Sequence, residues 1–292
     1  MSLKVILLAT DFSTRSDRAL RRAAMLAKAT GARIVVTHVI DDDQPEKLVS
    51  VERQTADTML REIVGSRAEL ADIGVSHVVG SGEPFVGIAS VALDTAADLI
   101  IVGSHRRQIL RDVFVGTTAE RVIRFGEIPV LMVNAEPHAP YARTVAAIDL
   151  SDCSKGAVIV ADRFGMLEPG RTILLHVFDP AAKGMLSYAG VDAATIERYV
   201  SAEENDTKRA IEGFVASAGL DPRAYPVMLK EGRTATVIRE TASEIPSLTV
   251  IGTNGRSGLL KVLLGSVAEE VLQKAEYDVL VVPPKAPLES AA

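Results

Sequence analysis

Two aspartates stand where an apolar run stops. Asp11 closes VILLAT and Asp149 closes VAAI, and each is followed, one residue later, by serine (Ser13, Ser151). An ionised carboxylate only accepts hydrogen bonds, so it suits the hydroxyls of a sugar or an amino group. Residues 252–271, GTNGRSGLLKVLLGSVAEEV, hold Gly252 and Gly255 three apart, and after nine further residues Gly265-Ser266 opens a helical pattern. Glycines let a backbone turn through positive φ, or approach a bulky anion with no Cβ in the way. A Gly-Ser helix start supplies free N–H groups, a hydroxyl and the positive end of the dipole. Such a set describes a ligand with a sugar at one end and phosphates at the other. Residues 103–122, GSHRRQILRDVFVGTTAERV, repeat the pattern with eight of twenty positions identical. Gly103, Gly116 and Thr117 are kept there, but Arg106 replaces the glycine at position 255.

The elements that must position these residues are duplicated as well. LKVILLATDFS pairs with ARTVAAIDLS, RIVVTHVID with RTILLHVFD, DLIIVG with SLTVIG, and PVLMV with DVLVV. The offset grows from 138 at Asp11/Asp149 to 149 at Gly103/Gly252, so the second copy carries eleven extra residues, placed most simply within 178–195. Two domains are expected, 1–135 and 142–285, joined by the polar, proline-bearing NAEPHAPYA. In the first, strands are predicted at 3–9, 33–39, 75–79, 98–102 and 129–133. Amphipathic helices lie between them, such as 13–30 with Leu20, Ala23, Ala24 and Ala27 on one face. Ser13 and Ser151 are placed as N-caps. The strands are apolar throughout, as a sheet covered on both sides requires, and strand–helix alternation gives a parallel α/β sheet with right-handed crossovers. Ligands of such sheets bind outside the carboxyl ends of the strands, where strand order reverses. Asp149, Val177 and Gly252 end strands in the second copy, matched by Asp11, Val39 and Gly103 in the first.

The whole chain sets bounds on function. Its 292 residues suit two domains; 48% are apolar, 24% charged, and the net charge is −6. That balance argues against a binder of polymeric nucleic acid. Cys153 is the one cysteine, which excludes an internal disulfide and reads as a small apolar residue. No secretory leader is expected, and no apolar run is long enough to cross a bilayer, so a cytoplasmic location is expected.

GTNGRSGLLKVLLGS fits G-x2-G-x9-G-[ST] and resembles the nucleotide-binding signature of the universal stress protein family, as do VILLATDFS, VAAIDLS, LHVFD and PVLMV around it. The resemblance covers the chain as two tandem copies. It implies two Rossmann-like five-stranded domains, of the adenine nucleotide α-hydrolase-like kind, with strand order 3-2-1-4-5, and ATP, ADP or AMP as ligand. It implies adenosine contacts at Asp149 and Val177 and phosphate contacts at Gly252, Gly255, Gly265 and Ser266. A weaker second site is implied at Asp11, Val39, Gly103, Arg106, Gly116 and Thr117. The family commonly dimerises through its last strand, so the halves are expected to form that pair within one chain; a homodimer of chains stays open.

Arg106 either places a Cβ where the loop should curl around phosphate or offers its guanidinium to that phosphate; the first reading is adopted, and the second copy is the expected site. No G-K-[ST] occurs, so no P-loop lysine tracks charge on a γ-phosphate, and fast hydrolysis is not expected. Arg256 and Lys261 read as solvated loop cations, Glu269 and Glu270 as complements to a helix dipole. His38, His105 and His176 lack HxH or HxxxH spacing and read as structural rather than as metal ligands. Mg²⁺ is the cation expected with polyphosphate. A regulatory nucleotide-binding module with an unidentified protein partner is the leading reading, beside a slow ATPase or nucleotide-processing enzyme, and a scaffold that binds no nucleotide.

Overall fold

A computed structural model describes residues 2–104, 117–178, 181–244, 247–253 and 264–284. The first half runs β1 (Val5–Ala9), α1 (Thr14–Thr30), β2 (Arg33–Ile40), α2 (Glu46–Ser66), β3 (Val75–Ser81), α3 (Pro84–Asp94), β4 (Leu99–Gly103), α4 (Thr118–Phe125) and β5 (Val130–Val133). The second runs β6 (Arg143–Ala147), α5 (Asp152–Arg163), β7 (Thr172–Phe178), α6 (Ala181–Tyr188), α7 (Ala193–Ser217), β8 (Val227–Glu231), α8 (Thr234–Ser243), β9 (Ser247–Gly252), α9 (Ser266–Lys274) and β10 (Asp278–Val282). The expected strands recur within a residue or two. In α1 the predicted face is the buried one, and the helix stops at Gly31, whose φ of 76° lets its N–H reach the Ala27 carbonyl. The extra residues of the second half build α6, which has no counterpart in the first.

All ten strands form one sheet, ordered β3-β2-β1-β4-β5-β10-β9-β6-β7-β8. Each half thus has the order 3-2-1-4-5, with β1 beside β4 and β6 beside β9. Pairing is parallel throughout except at the centre, where β5 and β10 run antiparallel with Leu131 opposite Leu280. The halves therefore join through their last strands within one chain. One apolar layer lies under α1, α2, α5 and α7, the other under α3, α4, α8 and α9, and each contains strand residues of both halves. The interior strands are buried and mostly apolar, not apolar throughout as expected: Thr37, His176 and Thr249 are buried polar residues within them. The edge strands are less covered: β3 alternates half-buried with exposed residues and β8 is half-buried, because each has a neighbour on one side and water on the other.

The segment expected to be a mere linker is packed. Asp278, at the start of β10, is fully buried; its carboxylate accepts from Arg22 Nε at 3.0 Å, Tyr141 Oη at 2.7 Å, and the N–H groups of Asn134 and Ala135 at 2.9 and 3.0 Å. The Arg22 guanidinium also donates to the Ala139 carbonyl and lies 4.0 Å from the centroid of the Tyr141 ring. One buried carboxylate thereby ties α1, the connecting segment and β10 together. The first copy has Pro129 at the matching position, so the clamp is built once.

Candidate nucleotide site

Because β6 and β9 are neighbours, Asp149 and Gly252 come to the same crevice. They line a cavity of about 350 Å³ together with Val177, Gly265 and Ser266. Its walls are otherwise mostly apolar: Ala147, Ile148, Leu175, Ile251, Val267, Ala268, and Ile238 from α8. A cleft of this size with a few polar groups at its ends has the form of a small-molecule site.

The carboxylate is aimed by a turn that sequence patterning does not reveal. Ile148 stays tied to β7 through its N–H to the Leu175 carbonyl, and its own carbonyl accepts from His176 Nδ1–H at 2.8 Å. The chain then reverses at Leu150, whose φ is 63°, a left-handed conformation costing a residue with a Cβ on the order of 1 kcal/mol. Asp149 Oδ1 closes the turn by accepting from the N–H and hydroxyl of Ser151, at 3.0 and 2.6 Å. The first half repeats the device, with Phe12 at φ 59° and His38 Nδ1–H donating to the Thr10 carbonyl. His38 and His176 are thus bound to backbone carbonyls as structural residues. Among the described residues no three His, Cys, Asp or Glu side chains are grouped to hold a metal ion.

The other end of the cleft is the start of α9. Gly265 is its N-cap and offers no side-chain cap, while its own N–H donates to the Thr253 carbonyl at 2.7 Å. The first turn, Ser266 to Ala268, faces the cavity with its N–H groups pointing away from the helix body. In the first half Thr117 is the N-cap of α4 and its hydroxyl accepts from the Glu120 N–H at 3.1 Å, so one of the corresponding donors is engaged. Ser151 likewise caps α5 through the Ser154 N–H. Ser13 occupies the N-cap position of α1 but makes no side-chain cap hydrogen bond; its hydroxyl donates to Asp11.

Gly252 meets a packing need that its sequence does not announce. Its φ is not positive; a Cβ there would lie 2.7 Å from Cys153 Sγ and 3.3 Å from the Cys153 carbonyl group. A Cβ on Gly103 would meet the Arg15 backbone carbonyl at 2.9 Å. Both glycines let the end of a strand press against the first turn of a helix. Cys153 is half-buried in that contact, as a small apolar residue would be. Gly255, Arg106 and Gly116 lie outside the described residues, with His105, Arg256 and Lys261. Asp11, Val39, Gly103 and Thr117 line a matching first-half cavity of about 420 Å³.

The rims carry matched ion pairs of opposite sense. Glu83, the N-cap of α3, pairs with Arg121 of α4, whereas Arg233, the N-cap of α8, pairs with Glu270 of α9 at 2.8 Å. Sequence reasoning missed Arg15, which reaches the first cavity, and the α3 and α8 residues Pro84, Ile88, Thr234 and Ile238 that wall the two sites. The duplication itself, carried on to SGEP and EGRT, would have found the last four.

Comparison with known families identifies the fold that carries this geometry. The sequence profile described as "Universal stress protein family" matches residues 2–134 and again 140–283. The chain belongs to the universal stress protein family. It is a tandem member, since similar proteins align along its full length. A universal stress protein of Mycolicibacterium smegmatis is 24% identical over 96% of this chain and 97% of its own. A universal stress protein of Methanocaldococcus jannaschii is 28% identical, covering 44% of this chain and 94% of its own. The crystal structure of a universal stress protein from Archaeoglobus fulgidus superposes with a TM-score of 0.70 at 19% identity, over 96% of this chain and 98% of that one, which shows the shared fold. Among the described residues no helix is long and apolar enough to cross a membrane.

Proposed function

We propose that this universal stress protein is a nucleotide-binding regulatory protein of the stress response, holding ATP, ADP or AMP mainly in its second half. The observation that carries the reading is the convergence of Asp149, Gly252 and the uncapped start of α9 on one apolar cleft. The residues fit the ligand part by part. The apolar walls suit a base, and the Asp149 carboxylate suits ribose hydroxyls or an exocyclic amine. The α9 N–H groups and Ser266 suit phosphate, and Mg²⁺ accompanies it where the phosphates are a polyphosphate. The first half supports binding less well, because Thr117 uses a donor of α4 and the sequence has Arg106 where the second half has Gly255. Nucleotide occupancy is then a signal passed to a protein partner, with the sheet's central pairing holding the halves as an internal pair. The test is to denature the purified chain with no nucleotide added and identify what is released. ATP or ADP at about one per chain supports the reading. An empty chain that also ignores added ATP contradicts it and leaves the scaffold reading.

A further inference from the structure

The ion pair at the rim of the second cavity comes apart more easily than its first-half counterpart. Arg233 is the N-cap of α8, next to Thr234 of the cavity wall, and its side chain is 74% exposed. Its guanidinium donates to Glu270 Oε2 at 2.8 Å, while Lys274 donates to Glu270 Oε1 at 2.9 Å. The Lys274 hydrogen bond, and after it the charges of Arg233, Lys274 and Arg239, hold the Glu270 carboxyl below its ordinary value of 4.5. Glu270 therefore keeps a cation when Arg233 leaves, and an exposed pair of this kind contributes little. In the first half the charges are exchanged: Arg121 holds the position of Glu270 and pairs with Glu83. That guanidinium is 34% exposed and lies 3.9 Å from the centroid of the Phe85 ring, so releasing it gives up two contacts.

The released arginine stands near the phosphate end of the cleft. Glu270 follows Ser266 by four residues in α9, a rise of about 6 Å. Helix side chains lean back toward the N-terminus, so the Glu270 carboxylate presents Arg233 within about one turn of the first N–H groups of α9. We infer that Arg233 is a phosphate-binding residue of the second cavity, swinging from Glu270 onto the outer phosphates of the nucleotide and so making the site prefer ATP to AMP. The inference rests on the nucleotide reading above. A monophosphate is received by the start of α9 alone. Each further phosphate adds anionic oxygens on the rim side, where a guanidinium matches them in a two-pronged contact.

Isothermal titration of the full-length chain with ATP and with AMP, each with Mg²⁺, compares the wild type with Arg233→Gln, Arg233→Lys and Arg121→Gln. Melting curves verify the folding of each. The wild type should bind ATP about tenfold or more tighter than AMP. Arg233→Gln should lose most of that ratio by weakening ATP, with AMP affinity held within about twofold. Arg233→Lys keeps the charge without the fork and should fall between the two. Arg121→Gln should keep the wild-type ratio. A ratio unchanged in Arg233→Gln, or ATP and AMP weakened alike, overturns the inference and leaves the nucleotide reading standing. A ratio lost in Arg121→Gln and kept in Arg233→Gln overturns the inference together with the second-half reading. A chain that binds neither nucleotide in any form rejects the nucleotide reading and the inference with it.

Discussion

Arg22 Nε stands 3.0 Å from Asp278 Oδ2 across 256 residues of sequence, with both side chains at or below 5% exposure. It is the charged contact at which one half grips the other beside the β5–β10 pairing. A buried pair adds little net energy over apolar packing, yet removing one partner strands the other charge. Arg22→Met should therefore destabilise the chain by about 3–5 kcal/mol, measured by urea denaturation. A loss within about 0.5 kcal/mol of zero, the range of an ordinary surface substitution, would mean the clamp does not hold the halves.

Gly252 and Gly103 should respond unequally to alanine. The new methyl at 252 meets chiefly one side-chain sulfur, whereas at 103 it meets backbone. Gly252→Ala should cost roughly 1–3 kcal/mol as an overpacked site, and Cys153→Ala should recover part of that loss. Gly103→Ala should cost more and find no single-residue rescue. Melting curves of the three variants and the double variant decide it.

Tyr277 is 4% exposed and its hydroxyl has no hydrogen-bond partner among the described residues. Burial pushes its pKa up to about 12. The unfolded phenol ionises near 10 and the folded one higher, so its contribution is complete below pH 10 and is lost as pH rises from 10 towards 12. Tyr277→Phe should remove that part of the alkaline unfolding limb. Near neutral pH it should be neutral or stabilising by up to about 1 kcal/mol, since no hydrogen bond is lost.

Asp11 gives the opposite sign at low pH. Its folded pKa lies below 3.8, so its stabilisation is present above that value and lost as pH falls through the lower folded one. Asp11→Asn should flatten the acid limb there and lower stability at neutral pH by the same amount, a small one because the carboxylate is 60% exposed. An unchanged acid limb would contradict the hydrogen-bonded turn at Asp11.

Much of this was legible from pattern alone. Apolar β-branched runs at matched offsets give the strands and their duplication, whereas the order 3-2-1-4-5, which sets Asp149 and Gly252 on neighbouring strand ends, came from the family resemblance. Other features depend on contacts between distant segments. Asp278 reads as a polar residue opening a strand, and nothing local announces Arg22 or Tyr141. Leu150 and Phe12 carry no mark of a left-handed turn, since their conformation is imposed by the serine and histidine hydrogen bonds around them. Gly252 was recognisable as necessary, but its neighbour is Cys153 on α5, which sequence spacing cannot indicate. Nothing in the sequence around Arg15 announces that its guanidinium meets Asp11 at the mouth of the first cavity.

The central claim is that one nucleotide binds, at Asp149. Calorimetric titration with ATP of the wild type, Asp149→Asn and Asp11→Asn tests it most directly. The account predicts about one site per chain, lost in Asp149→Asn and retained in Asp11→Asn. Two equivalent sites, or binding that survives Asp149→Asn and disappears in Asp11→Asn, would contradict it.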